Sequence, residues 1–165
     1  MSSYQLAQLN IANMKYAIDS PEMSDFVVNL ERVNKLAEES PGFIWRLQTE
    51  EGDATSIRSF GSDILVNISA WEDVKSLHTY VYRTAHTKFM SRRKEWFGKM
   101  EDAYTVLWWM QKGNYPTLDE AKKRLECLQA HGPTVEAFTF KKAFSAPDVQ
   151  VEKDSVEYDD LCPVT

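Results

Sequence analysis

Residues 63–71 read DILVNISAW and are followed at 72–97 by EDVKSLHTYVYRTAHTKFMSRRKEWF. In the first stretch apolar side chains recur at every second position from Ile64 to Ile68, which predicts a β-strand. The second stretch contains neither Gly nor Pro, and it repeats apolar residues at helical spacing. It predicts a long helix with a break near Arg83. This strand and the helix that follows it are the unit around which the rest of the fold is predicted.

The same two patterns outside this unit predict the other elements. Strands are predicted at 4–12, 43–50 and 104–110, with a hairpin arm at 54–60 and a short edge strand at 136–140; helices are predicted at 19–42 and 117–132. This order is the split βαβ pattern of an α+β, ferredoxin-like sandwich with an added C-terminal helix. We assign residues 1–144 to this domain and residues 145–165 to an acidic tail that is disordered or loosely docked.

The two flanking helices also carry end signals. Ser20 or Asp19 is expected to cap the first helix, with Pro21 in its first turn. In the last helix Thr117 and Glu120 have the spacing of a capping box. Gly132 is the expected stop signal of that helix.

Charge is distributed unevenly along the chain. The 165 residues carry a net charge of −6, and the segment from Asp148 onward, with six acids and one base, carries −5 of it. The nearly neutral body excludes a nucleic-acid partner, which would need a basic face. No apolar run is long enough to span a membrane.

Cysteine content predicts the compartment. The chain has two cysteines, Cys127 and Cys162, which lie far apart in the sequence. No secretory signal precedes the first predicted strand. A disulfide framework is therefore not expected, and we predict a reducing, cytoplasmic location.

The predicted sheet has two unlike faces. One face is apolar throughout, and the other mixes amides and Ser69 with large apolar groups such as Leu107 and Trp109. Such a mixed surface suits neither open water nor a dry core. We therefore expect it to pack on a partner sheet in a homodimer, with Gln8 bridging the two sheets and with Asn10 and Asn67 facing a pocket.

Several long motifs resemble a known domain family. They are LAQLNIA, SPGFIWRLQTEEGDAT, LVNISAWEDVKSLHTYVYRTAHTKFMSRRKEWF and VLWWMQKGNYPTLDEAKKRLECLQAHGPTVEAFTF, in this order. Together they span about residues 4–141, and they resemble a bacterial and fungal family of unknown function. That family lies in the dimeric α/β-barrel superfamily, which also contains antibiotic-biosynthesis monooxygenases. The acidic tail lies outside the resemblance.

The resemblance implies a homodimer of ferredoxin-like protomers, each with a pocket between sheet and helices. Known members of the superfamily include cofactor-independent oxygenases, cyclases, isomerases, haem-binding enzymes and stress proteins. In its haem-degrading branch the site consists of an Asn on the first strand, a Trp ending a central strand and a His on the next helix. Asn10, Trp71 and His86 lie at comparable places, although the separation between the Trp and the His is longer here.

His86 is the leading candidate for chemistry, since imidazole serves as a general base or as an iron ligand. Its alternative is a structural histidine at the edge of the core. Tyr82, His86 and Phe89 share one side of a helix by spacing. The predicted catalytic residues are His86, Asn10 and Asn67, and the predicted substrate-binding residues are Trp71, Tyr82, Phe89, Trp109 and Arg46.

Histidine and arginine are two further types of side chain that could form a site. His78, His86 and His131 lack the spacing of metal ligands, so no metal site is expected. For Arg46 and Arg58 the favoured interpretation is pairing with nearby carboxylates, namely Glu50, Glu51 and Asp53.

Three functions are compatible with these patterns. The preferred one is a cofactor-independent enzyme of monooxygenase, cyclase or isomerase type that acts on a hydrophobic small molecule of specialised metabolism. The second is a haem-binding or haem-degrading protein with His86 as axial ligand. The third is a non-catalytic binding or stress protein, because a fold of this kind does not fix a function.

Overall fold

The computed structural model describes residues 2–50, 52–84 and 86–149. In chain order the elements are β1 (Tyr4–Asn13), a 3₁₀ turn (Pro21–Met23), α1 (Ser24–Glu39), β2 (Phe43–Arg46), β3 (Ile64–Trp71), α2 (Val74–Arg83), α3 (His86–Ser91), α4 (Arg93–Trp96), β4 (Thr105–Gln111) and α5 (Leu118–His131). The strands form one antiparallel sheet in the order β2-β3-β1-β4. The predicted α+β, split βαβ architecture is confirmed.

The long strand β1 lies in the middle of the sheet because it pairs on both sides. Asn10 is opposite Asn67 of β3 and opposite Thr105 of β4. Side chains at opposite positions of antiparallel strands lie on the same face. The register therefore brings the polar residues of three strands onto one patch of the sheet.

The end signals of both flanking helices act in part as predicted: Thr117 caps α5, but the Glu120 carboxylate pairs with Arg124 at 3.3 Å and does not complete the capping box. The Thr117 hydroxyl accepts the Glu120 N–H at 3.1 Å, and Gly132 follows the helix with φ of 73°. Pro21 begins the 3₁₀ turn before α1, but the Ser20 side chain makes no cap hydrogen bond, so that prediction is wrong. After α1, Gly42 has φ of 84°, and a Cβ there would collide with the Ser76 side chain.

The predicted helix at 72–97 consists of three shorter helices. Asp73 caps the first by accepting the Ser76 N–H at 2.7 Å. It ends at Thr84, whose extended backbone has φ of −120°, so the predicted break near Arg83 is confirmed. A second interruption lies at Arg92, where α3 gives way to α4.

Two of the predicted strands are not formed. Residues 54–60 make turns, and the Arg58 guanidinium binds the carbonyls of Thr55 and Ile57 within the same loop. Local hydrogen bonds thus replace the expected hairpin ladder. At 136–140 the backbone of Phe138 pairs with Leu107 through two bonds of 2.8 Å, but the pairing is one isolated bridge.

Both faces of the sheet are covered by the chain itself. On one face the apolar side chains of three strands pack on α5, and Leu9, Ile68 and Trp108 among them are at most 1 % exposed. On the mixed face Leu6 and Trp71 pack against α1 and α2. The expectation that the mixed face meets a partner sheet is therefore wrong, and the homodimer stays a prediction without that support.

The first residues of the predicted tail contact the N-terminal segment. The Asp148 carboxylate accepts the Ser2 hydroxyl at 2.7 Å and the Ser3 N–H at 2.6 Å, which lowers the pKa of this carboxyl below its ordinary value. Residues 150–165, with Cys162 and five of the six acidic residues of the segment from Asp148 onward, lie outside the described residues. In the described part of the chain, every helix is too short or too polar to cross a membrane.

Candidate functional site

A cavity of about 340 Å³ lies between the mixed face of the sheet and helices α1 to α3. We call it the sheet cavity. Polar side chains of β1 and β3 line its floor, and aromatic and aliphatic side chains of the helices line its walls. Cavities of this size and character are typical of small-molecule sites. The structure thus answers which face of the sheet lines a pocket: it is the mixed one.

His86 lies at the first position of α3 and lines the cavity. Its ring reaches back across the helix break, so that Nδ1 is 3.2 Å from the Val81 carbonyl oxygen. A carbonyl only accepts hydrogen bonds, so Nδ1 must carry the proton and donate. The other ring nitrogen, Nε2, then has a free lone pair in the neutral imidazole.

The surroundings of His86 favour this neutral form. Its ring centroid is 4.8 Å from that of Tyr80 and 6.5 Å from that of Phe89. Withdrawal from water lowers the pKa of His86 below its ordinary value, partly offset by the bond to Val81. At neutral pH the ring is therefore uncharged, with Nε2 as a base or as a ligand for a metal.

The aromatic wall of the cavity is built around Trp71. This indole is 1 % exposed, stacks on Tyr80 at 5.1 Å and meets Phe43 edge-on at 5.4 Å. The Tyr80 hydroxyl donates to the Val33 carbonyl at 3.2 Å, and burial raises the pKa of this phenol above its ordinary value. Tyr80 therefore stays protonated and ties α2 to α1.

The other predicted aromatic residues divide into two groups. Tyr82 and Phe89 line the sheet cavity, and Phe89 stacks on Phe26 of α1 at 5.5 Å. Trp109 does not line it. Its indole N–H donates to the Phe144 carbonyl at 2.8 Å, so it holds the segment after α5 instead.

The polar floor contains a directed chain of hydrogen bonds. The Trp71 indole N–H donates to the Ser69 hydroxyl at 2.9 Å, and that hydroxyl donates to Gln8 Oε1 at 2.9 Å. An indole has only a donor, so the order of the chain is fixed. Because Gln8 Oε1 is the acceptor in this chain, its amide NH₂ remains available as a donor toward the cavity it lines.

Gln8 is the functional candidate that the sequence placed wrongly. It was expected to bridge two sheets, yet it lines the cavity of its own chain. The register of β1 and β3 places Gln8 opposite Ser69, and this pairing depends on the fold and is not evident in the sequence. Asn10 and Asn67 line the same floor, and Asn10 donates to the Thr105 hydroxyl at 2.9 Å.

Arg46 reaches the cavity because of an irregularity in β2. A register shift between Phe43 and Trp45 turns Phe43 and Arg46 to the cavity side, while Trp45 packs on the opposite face. Arg46 Nε donates to Glu38 Oε1 at 2.8 Å. Arg46 therefore pairs with a carboxylate, as favoured, but with one from α1.

The grouping of side chains that could bind a metal bears on the chemistry of the site. Among residues 2–50, 52–84 and 86–149, no three His, Cys, Asp or Glu side chains are grouped so as to hold an ion. The site contains one neutral imidazole, the amides of Gln8, Asn10 and Asn67, and an aromatic wall. That set can bind an apolar ring and move a proton on it.

Solved structures with a similar fold come from distant proteins. A Nitrosomonas europaea protein of unknown function is 10 % identical, with a TM-score of 0.45 over 70 % of this chain and 95 % of that one. A conserved Methanosarcina mazei protein is 17 % identical, with 0.43 over 67 % and 94 %. SnoaB, a cofactor-independent oxygenase from Streptomyces nogalater, is 14 % identical, with 0.42 over 69 % and 96 %.

Similarities this distant say nothing about the substrate or reaction of this chain. A comparison with functionally curated proteins gives no match. The sequence match to a family model is extensive, since it covers residues 5–154. The chain belongs to the family described as Domain of unknown function (DUF3291).

Proposed function

We propose that this protein is a cofactor-independent enzyme that moves a proton on a hydrophobic small molecule bound in the sheet cavity. The observation that carries the proposal is the tautomer of His86. Its Nδ1–H is held by the Val81 carbonyl, which leaves Nε2 as a base in a partly dry, aromatic cavity. A lowered pKa keeps that base unprotonated at neutral pH.

The proposed step has a donor for each charge that develops. Nε2 of His86 takes a proton from a C–H beside a carbonyl of the substrate, and the electron pair of that bond moves onto the carbonyl oxygen; with a phenolic O–H the electron pair stays on the phenol oxygen. Amide N–H groups of Gln8 and Asn10 stabilise that oxygen. The proton returns from His86 to the product, so atoms and charge balance. This step opens an isomerisation or a cyclisation, and it also forms the carbanion that a cofactor-independent oxygenase needs.

Hydrogen–deuterium exchange tests this step without knowledge of the natural substrate. We expect the protein to accelerate exchange of the α-protons of 2-tetralone in D₂O, followed by NMR, and we expect His86→Gln to lower the rate by about 10²- to 10⁴-fold. His131→Gln is the matched control, because this exposed histidine at the end of α5 is remote from the cavity lining. Full exchange activity in His86→Gln would refute the role of His86 as base.

One observation favours haem binding as a second candidate. A histidine that donates Nδ1–H to a backbone carbonyl has the orientation that metal-ligating histidines show. His86 Nε2 would hold the haem iron, and Arg46 and Arg93, which line the cavity, would pair with the two haem propionates. Bound haem would supply iron-centred oxygen chemistry. A Soret shift upon addition of haemin that is lost in His86→Gln would favour this candidate.

Binding without turnover is the third outcome. A protein that binds 2-tetralone but exchanges no protons, and that leaves the haemin spectrum unchanged, would be a small-molecule-binding or stress protein. The predicted homodimer and cytoplasmic location are independent of this choice.

A further inference from the structure

A second cavity of about 340 Å³ lies beside the sheet cavity. We call it the basic cavity. Its lining consists of Lys15, Arg93, Lys94, Phe97, Gly98, Lys99, Met100 and Tyr104. Four of these eight residues are cationic, and none of the described residues that line it is acidic. In a body whose net charge is close to neutral, such a concentration of one sign marks a place that attracts anions.

Glu95 follows Lys94 in the sequence but does not neutralise the cations of the basic cavity. Glu95 directs both carboxylate oxygens to Arg92, at 2.8 and 3.0 Å, and Arg92 also binds Asp25 at 2.8 Å. That network holds α4 against the start of α1. Lys94 and Lys99 are exposed and take no part in it.

The two cavities meet at shared side chains. Arg93, Phe97 and Tyr104 line both of them. The Arg93 guanidinium stacks over Tyr104 at 4.8 Å and lies 5.7 Å from the Phe97 ring centroid. Stacking fixes this cation at the boundary, so a ligand that passes from one cavity to the other leaves the aromatic wall and enters a positively charged region.

We propose that the ligand of this protein is an amphipathic anion whose hydrophobic body lies in the sheet cavity and whose carboxylate or phosphate lies in the basic cavity. This inference rests on the proposed function and narrows its substrate class. Arg93, Lys94 and Lys99 hold the anionic group and set the orientation of the body, so that its reactive end points to His86 and the polar floor.

A pair of dyes with one skeleton tests the anionic anchor. 8-Anilino-1-naphthalenesulfonate carries a sulfonate, and N-phenyl-1-naphthylamine is the same aromatic body without it. We expect Lys94→Gln/Lys99→Gln to raise the Kd of the sulfonate dye by about three- to tenfold and to leave the Kd of the neutral dye unchanged. Fluorescence titration at low salt measures both values.

The control removes the same charge elsewhere. Lys122→Gln/Lys123→Gln changes two exposed lysines of α5 and lowers the net charge equally. If this control weakens the sulfonate dye as much as the cavity variant does, only the overall charge matters and the anchor is refuted. An equal effect of the cavity variant on both dyes would refute it as well.

Displacement identifies the anion. We expect 1-naphthyl phosphate or 1-naphthoate to displace the sulfonate dye more strongly than neutral 1-naphthol, and the stronger of the two anions names the group that the site prefers. Equal displacement by the naphthol overturns the inference.

Failure of the anchor and failure of the proposed function give different results. One result is that the neutral dye binds and the α-protons of 2-tetralone exchange, but the Lys94→Gln/Lys99→Gln variant binds the sulfonate dye as tightly as the wild type. In that case only the anionic anchor is wrong. If neither dye binds, the sheet cavity is not a ligand site, and both proposals are wrong.

Discussion

The two faces of one sheet show two ways of burying it. On the α5 face the middle positions of β1, β3 and β4 are apolar, among them Leu9, Val106 and Trp108, and α5 closes over them. On the cavity face amide and hydroxyl groups take alternate positions, and α1 to α3 arch over them and leave a space. The α5 face is closely packed, whereas the cavity face has fewer packing contacts, and its polar groups stay accessible.

Neighbouring residues of β3 lie on these two opposite faces. Ile68 is 1 % exposed on the α5 face, whereas Asn67 is exposed into the sheet cavity. Alternate residues of β3 thus point to the packed core on the α5 face and to the sheet cavity on the other face. We therefore expect the first set to contribute to stability and the second set to ligand binding. Substitutions at adjacent positions should therefore act on different properties.

The largest expected effect is the loss of packing on the α5 face. Ile68→Ala should lower the free energy of unfolding by about 2–5 kcal/mol, because a fully buried side chain leaves a cavity among close-packed neighbours. Asn67→Ala, one residue away, should change it by less than about 0.5 kcal/mol. Urea denaturation of both variants measures the contrast, and similar losses at the two positions would contradict the separation.

An intermediate effect is expected from the hydrogen-bond chain on the cavity face. Ser69→Ala should cost about 1–3 kcal/mol of unfolding free energy, since it leaves the Trp71 indole N–H and Gln8 Oε1 buried without their partner. Ser91→Ala is the control, because that exposed hydroxyl only bonds to Lys88 within α3. A Ser69→Ala variant as stable as this control would show that the chain is not needed for the fold.

The smallest of the three effects is the dependence of stability on pH through His86. Its pKa is lowered in the folded protein, so the unfolded chain binds more protons as the pH falls. The stability that the neutral ring contributes is complete above the unfolded pKa of about 6.5 and is lost as the pH falls through the folded value.

Comparison of variants isolates this contribution from that of the carboxylates. Between pH 7 and pH 5 the wild-type protein should lose more unfolding free energy than His86→Gln, whereas His131→Gln should follow the wild type. Parallel pH profiles for the wild type and His86→Gln would show that burial does not shift this histidine.

Elements that depend on local sequence were predictable, and those that depend on tertiary contacts were not. The helix cap at Thr117 and the break near Arg83 were predicted and confirmed, because each is decided within a few residues. The loop at 54–60 alternates like a strand, but the Arg58 guanidinium satisfies its carbonyls locally. Alternation alone does not reveal that competition.

Several of the predicted site residues lie together, and their functional roles stay predictions. Trp71, Tyr82, His86 and Phe89 line one cavity, which helical spacing and strand order anticipated. The sequence does not show which layer covers which face, so Gln8 was assigned to a dimer contact. The irregularity that turns Arg46 to the cavity depends on pairing with β3.

The bond from His86 to Val81 has a consequence for how this site can evolve. Under the proposed chemistry the nitrogen that gains and loses a proton in each cycle is Nε2, whereas the nitrogen that spans the gap between α2 and α3 is Nδ1. The hydrogen bond from Nδ1–H of His86 to the Val81 carbonyl is therefore kept in both charge states of the ring, and turnover leaves the backbone undisturbed. A carboxylate or an amine at this position could act as a base but has no second nitrogen to serve as the brace. Exchange of the base type would thus require another contact to connect α2 and α3.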